Sequence, residues 1–243
     1  MKQARSAAAS ALALLSLAAL TACGGEADSD ATADRPQASA STAKEVTPAQ
    51  RLAGLMVTAA DVEGFTVQEP DDEFLFAESV EEVKVDEQLC APLAHAMNQL
   101  PLGDPVADLT RVLSEDAKGP DSAHTYVTIT AYASDGEAQS AVADVEKAVR
   151  SCGSGFTAEA SGGTSTYDSV TAEKVAPAGD ESLGFSATMT FRSASHTLHT
   201  EVVRSGDVVG VYFSVNGMAI ANARPSDAEL PVAVVEAQNA KLR

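Results

Sequence analysis

Four histidines are the first residues to question for chemistry, because an imidazole can act as a general base, a proton shuttle or a metal ligand near neutral pH. They are His95, His124, His196 and His199. His196 and His199 lie three apart on a predicted strand, so their side chains leave opposite faces and cannot jointly hold a metal. His95 stands alone on a short predicted helix. Asp and Glu together number 35, too many for any one pair to mark glycosidase-type acid and base work. The chain carries no G-x-S-x-G, no H-E-x-x-H, no Walker loop and no dinucleotide fingerprint. A serine can still meet a histidine through tertiary contact, so a cell-wall hydrolase stays as a minor reading. The main expectation is a protein that is not an enzyme and needs no metal or cofactor.

The three cysteines, Cys23, Cys90 and Cys152, divide into two groups by context. Residues 1–22 begin with Lys2 and Arg5, continue through an alanine- and leucine-rich run, and end in Leu20-Thr21-Ala22 before Cys23. That is the layout of a secretory signal peptide, and its last four residues resemble the bacterial lipobox. The resemblance implies cleavage before Cys23 and acylation of its thiol. The apolar run, roughly Ala7 to Leu20, is shorter than the ~20 residues a spanning helix needs. Ordinary cleavage after Ala22 would leave bulky Leu20 where a small residue is expected. Two acyl chains anchor stably where one does not, which makes membrane attachment through Cys23 sufficient by itself. Cys90 and Cys152 then remain. Outside the reducing cytosol two such thiols ordinarily pair, and closing a loop of this length gives on the order of 4 kcal/mol in the chain-entropy view. A catalytic or metal-binding thiol is the sharper alternative, but neither cysteine has a histidine at ligand spacing.

Charge narrows the partners. The formal net charge is −19, and removing residues 1–22 takes away Lys2 and Arg5 but no acid, so −19 becomes −21. Phosphate backbones and anionic headgroups are both repelled by such a surface. No nucleic acid is expected, and contact with the membrane falls to the lipid. Residues 24–46 are rich in Gly, Ala, Ser, Asp and Glu without apolar periodicity. They form residues 23–46 with the acylated cysteine, an acidic tether expected to remain disordered and to reach roughly 25–30 Å. Asp28, Asp30 and Asp34 lack the glycine turn and terminal glutamate of a calcium loop and read as tether charge.

The folded region is expected over residues 47–243. Thr47 with Gln50 fits a capping box, Pro48 fits the first helical position, and Ala49, Leu52 and Met56 share a face. Thr58 and Asp61 suggest a second short turn leading into Gly64-Phe65. The acidic stretch Pro70–Gln88 has room for an edge strand, and Pro92–Leu100 reads as a short helix. The clearest helix runs from Asp135 to Ser151, with Ala138, Ala141, Val142, Val145, Val149 and Cys152 at helical spacing. Alternating strands run over Thr125–Tyr132, Leu183–Arg192 and Val208–Val215. Ser205-Gly206-Asp207 turns the last of these back onto His196–Arg204. A final helix is expected after Pro225, capped by Ser226 and Glu229. Helices are too few for a doubly wound sheet. The expected class is α+β, an antiparallel β-sheet with helices packed on one face and one disulfide.

If the apolar strand faces all meet those helices, the other sheet face carries Tyr, Thr and Ser. The candidate ligand site on it is Tyr126, Tyr132, Thr188, Arg192 and Tyr212, with the arginine as an anchor for carboxylate or phosphate. Antiparallel sheets also leave a polar face to water with no ligand involved, and both readings stand.

Several spans together resemble the PknH-type extracellular sensor domain of actinobacterial surface proteins, which also occurs detached from its kinase in lipoproteins. They are Val57-Thr58-Ala59-Ala60-Asp61-Val62-Glu63-Gly64-Phe65, the midchain Cys90, the helix ending in Cys152, Gly179-Asp180-Glu181-Ser182, and Val202-Val203-Arg204-Ser205-Gly206-Asp207-Val208-Val209. The resemblance implies an α+β domain with an antiparallel sheet and a cleft that senses a ligand. The kinase-linked form holds two disulfides where this chain can form one. Asp180 and Glu181 are expected to shape a turn. The resulting expectation is a lipid-anchored binding or sensor domain on the extracellular side of the cell membrane, contacting an unknown small molecule or envelope protein. A carrier of lipid or other hydrophobic cargo is the alternative, and an apolar rather than a Tyr/Thr/Arg lining would mark it.

Overall fold

The computed structural model describes residues 46–71, 76–118, 122–160 and 163–243. The expected signal peptide, the acylation site Cys23 and the tether lie outside the described residues, apart from the exposed Val46. In chain order the elements are α1 (Pro48–Leu55), β1 (Phe65–Gln68), β2 (Lys84–Val85), α2 (Ala91–Ala96), β3 (Ala107–Glu115), β4 (His124–Ala131) and α3 (Asp135–Ser151). They continue with β5 (Phe156–Ala160), β6 (Gly163–Glu173), β7 (Glu181–Phe191), β8 (Ala194–Ser205), β9 (Val208–Val215), α4 (Gly217–Ala221), β10 (Ser226–Ala228) and α5 (Val232–Lys241). The strands form one sheet in the order β1-β3-β4-β9-β8-β7-β6-β5-β2, with β10 lying beside β8. Its pairings are antiparallel except for the parallel β10–β8 contact.

Local signals explain several of these elements. Thr47 and Gln50 form the capping box, side chain to backbone in both directions, and Pro48 opens α1. Helix α3 is capped by Ser134, whose Oγ accepts from the Glu137 amide at 3.3 Å. The cap therefore lies one residue before Asp135, which joins Glu137 at the positive end of the helix dipole. Cys152 caps the far end of α3 and Cys90 the start of α2. They are bonded to each other with their Cα atoms 6.0 Å apart, so the disulfide staples two helix ends. Arg192 and Ser193 both adopt positive φ, 48° and 66°. That is the twist a two-residue β7–β8 turn requires, made here without glycine or asparagine.

The expected single helical layer is overturned. On β9, Val209, Val211 and Phe213 join α2, α3 and Phe185 of β7 in one buried cluster. Val208 and Tyr212 of the same strand join Leu52 of α1, Val234 of α5 and Val127, Ile129 and Ala131 of β4 in a second. Register decides this, since Val127 lies across from Tyr212 and Tyr126 across from Phe213. The apolar faces of β4 and β9 therefore point to opposite sides of the sheet. A one-residue slip would align them, and then one layer of helices would suffice. With both faces of the central strands apolar, each must be covered. Helices α2 and α3 take one face, and α1 and α5 the other.

The C-terminal expectation is also corrected. Ser226 and Glu229 do not cap a helix; Ser226–Ala228 pairs with His196–Leu198 of β8. The β9 ladder reaches β8 only from His199 to Ser205, so the earlier half of β8 has backbone groups that β10 satisfies. Helix α5 starts at Val232 with Pro231 before it and no side-chain cap.

Candidate functional site

The register that splits the core also scatters the five residues expected to line one face. Tyr126 lies half-buried on the α3 side, its ring stacked against Phe213 with centroids 6.2 Å apart. Tyr132 is buried on that side and its hydroxyl donates to the Leu102 carbonyl at 2.6 Å. Tyr212 is 0% exposed in the other cluster, and its hydroxyl donates to Asn239 Oδ1 at 2.6 Å. Burial pushes both phenols far above their ordinary range. Thr188 faces away from the α3 cluster, which takes its neighbours Ala187 and Met189. Arg192 sits in the β7–β8 turn with its guanidinium 5.0 Å from the Phe191 ring centre. The five do not converge on one surface.

What the fold does bring together is a groove of about 410 Å³ between α3 and the start of β7. Gln139, Val142, Ala143 and Glu146 form the helix side, and Glu181, Ser182 and Leu183 the strand side. Val142 and Leu183 give an apolar floor: Val142 is a buried member of the α3 cluster, and the partly buried Leu183 packs against that cluster. The polar end is fixed. Glu181 Oε1 accepts from Gln139 Nε2 at 3.1 Å and from Arg204 Nη2 at 3.0 Å. Arg204 also donates to Asp180 at 3.0 Å, and Asp180 accepts from the Gly206 amide at 2.8 Å. The Arg204 side chain is 12% exposed, and its Nε is a buried donor with no hydrogen-bond partner. Asp180 and Glu181 thus tie the β6–β7 connection to the β8–β9 hairpin. Gly179, at φ 57°, fits there because a Cβ would collide with the Arg204 carbonyl. At the other end Glu146 pairs with Arg150 at 2.6 Å.

A second, smaller cleft of about 240 Å³ opens on the opposite face, between the end of α1 and strands β1 and β3. Met56, Val57, Val67 and Leu109 line it with Thr58 and Arg111. Arg111 donates to the Thr110 carbonyl at 2.8 Å and pairs with Glu69 at 3.3 Å. Asp61 closes the turn after α1, accepting from Thr58 Oγ1 at 2.6 Å and pairing with Lys241 at 2.9 Å. Those bonds, Thr58 foremost, hold its carboxyl down to about 2.

The histidines separate as their spacing implied. His196 and His199 point to opposite faces of β8. His196 is fully buried, its Nδ1 is 2.9 Å from Ser226 Oγ, and its Nε2 has no hydrogen-bond partner. Among the described residues, no carboxylate is hydrogen-bonded to this imidazole. His199 lies between two carboxylates, Glu173 at 2.9 Å and Asp227 at 2.7 Å. Burial opposes its proton, but the two acceptors outweigh that and raise its pKa. Among the described residues, no group of three or more His, Cys, Asp or Glu could hold a metal ion. Helix periodicity placed Val142 on the buried stripe of α3 and did not mark Gln139, Ala143 or Glu146. Nothing in the sequence placed Gln139 beside Glu181, a contact across 42 positions.

Comparison with known proteins gives a fold. No family model and no curated protein matches the chain. Among solved structures it is similar to the extracellular domain of PknH from Mycobacterium tuberculosis, with a TM-score of 0.52 and 12% identity. The match covers 82% of this chain and 95% of that one. The architecture is therefore that of the PknH extracellular domain.

Proposed function

We propose that residues 47–243 are a non-catalytic binding or sensor domain, held at the outer face of the cell membrane by acyl groups on Cys23. We place its ligand site in the groove between α3 and β7. That groove carries the reading: its volume falls in the range of small-molecule sites, roughly 300–1,000 Å³. Its apolar floor of Val142 and Leu183 meets a polar end fixed by Gln139, Glu181 and Arg204. A lining of this kind suits a ligand with an apolar body and a hydrogen-bonding head. The Cys90–Cys152 bond supports an oxidising compartment, and the likeness to an extracellular domain supports the same side of the membrane.

Native mass spectrometry of the full chain, made in a host that acylates lipoproteins, tests this. The expected result is an acyl mass that disappears in Cys23→Ala and a small-molecule adduct that disappears in Ala143→Trp. Ala143 is exposed on α3 and lines the groove, so the indole fills the groove without entering the core. An adduct that survives Ala143→Trp places the site elsewhere. A chain without acyl mass refutes the anchor.

A further inference from the structure

Strand β10 is three residues long, yet two histidines of β8 grip it from the two faces of the sheet. On the α3 face, His196 Nδ1 meets Ser226 Oγ at 2.9 Å. On the opposite face, His199 Nε2 meets Asp227 Oδ1 at 2.7 Å, while its Nδ1 meets Glu173 Oε2 of β6 at 2.9 Å. An ionised carboxylate accepts and does not donate, and a neutral imidazole carries a single N–H. Both His199 contacts can therefore be hydrogen bonds only when the ring is an imidazolium. Without that proton, one carboxylate faces a ring lone pair.

We propose that β10 is a pH-gated latch: protonated His199 ties β10 to the end of β6, and loss of the ring proton loosens the segment between β9 and α5.

The surroundings of His199 fit this role. Glu173 comes from β6 and Asp227 from β10, and these are the two charges that act on the ring. On the same face, β7 contributes Gly184, Ser186 and Thr188, none of which titrates. Glu201 lies two residues along β8, opposite Tyr212 of β9. The two acceptors move the imidazole above its ordinary 6.5. A group raised on folding stabilises the closed form fully below its ordinary value and stops doing so as pH rises through the raised one. His196 has no charged partner, and burial alone lowers its pKa, so it does not share the rise that the two carboxylates give His199. Its contact with Ser226 involves no carboxylate, which leaves it as the pivot while Asp227 lets go. The latch also has somewhere to act. Loosened β10 exposes the backbone of His196–Leu198 on β8 and slackens the chain leading into α5.

Hydrogen exchange on the full chain, with an NMR titration of the histidine rings, tests the latch. In the unsubstituted protein, protection factors over residues 224–230 are expected to fall about tenfold between pH 6 and pH 8.5, the loss of one charge-assisted bond. The fall should track the His199 ring, which should titrate above 6.5. Asp227→Asn keeps the acceptor but removes a charge, so both midpoints should move to lower pH together. His199→Gln should abolish the pH dependence. Protection that is equal at both pH values overturns the latch. So does a slope that persists unchanged in His199→Gln or Asp227→Asn. Asp227 is exposed, so that variant remains informative if His199→Gln fails to fold.

Discussion

Helices α3 and α5 cover opposite faces of the same sheet, and different chemistry holds them. Helix α3 buries Ala138, Ala141, Val142, Val145, Ala148 and Val149, a continuous apolar stripe, and a disulfide fixes its end. Helix α5 buries Val234, Gln238 and Asn239. Gln238 accepts from the Val57 amide at 2.8 Å and donates to the Leu55 carbonyl at 2.8 Å, which holds α5 against the end of α1. Asn239 accepts from the Tyr212 hydroxyl and hydrogen-bonds Glu201. An apolar stripe tolerates small slips, whereas two buried amides with fixed partners specify one position. Helix α3 therefore supplies burial, and α5 supplies an address for the C-terminus.

The contrast can be broken at several points. The largest effect belongs to the α3 side. Cys152→Ser should cost about 4 kcal/mol, the chain-entropy value for a loop with its ends 62 residues apart. Denaturant melts of oxidised wild type against the variant measure it. Tyr212→Ala comes next, at about 3–4 kcal/mol, because it empties a fully buried site in the α5 cluster. A melting temperature that stays put would return Tyr212 to the surface role its sequence suggested.

Gln238→Leu is the sharpest test of the address. The substitution keeps the helix and adds apolar area, so apolar docking alone predicts little change. Loss of both backbone partners predicts a destabilisation of about 2–3 kcal/mol. The smallest effect is at Glu201, which is 6% exposed with Oε1 unpartnered. Burial pushes its carboxyl above the ordinary 4.5. Folding then favours the protonated form, so stability falls as pH rises from 4.5 through the raised value. Glu201→Gln should remove that slope and raise stability at pH 7.5, read from melts across pH. A slope that survives the substitution assigns it to another group.

Elements with one clear period were legible. The α3 stripe, the α1 capping box and the β9 alternation each state their own conformation locally. The cysteine pair was legible too, because two thiols left over outside the cytosol have few other partners. Strands β3, β5 and β6 were not. Strand β6, Gly163–Glu173, is mostly Ser, Thr, Ala, Gly and charge, and a polar strand held by its neighbours carries little signal of its own. The five candidate site residues lie apart for a different reason. Each strand's two faces were read correctly, but Tyr126, Thr188 and Tyr212 were assigned to one side of the sheet without knowledge of how the strands align.

By itself the sequence determined the α1 capping box, the turn at Ser205-Gly206-Asp207, the apolar stripe of α3, and that Cys90 and Cys152 lie at helix ends. Those properties are set by interactions within a few residues. Only the tertiary structure decided which strand faces share a side, that both sides need helices, and that Gln139, Glu181 and Arg204 meet at one groove. It also decided that β10 would end between two histidines. Strand register is fixed by pairings across tens of residues, and one step of it reverses every side chain on a strand.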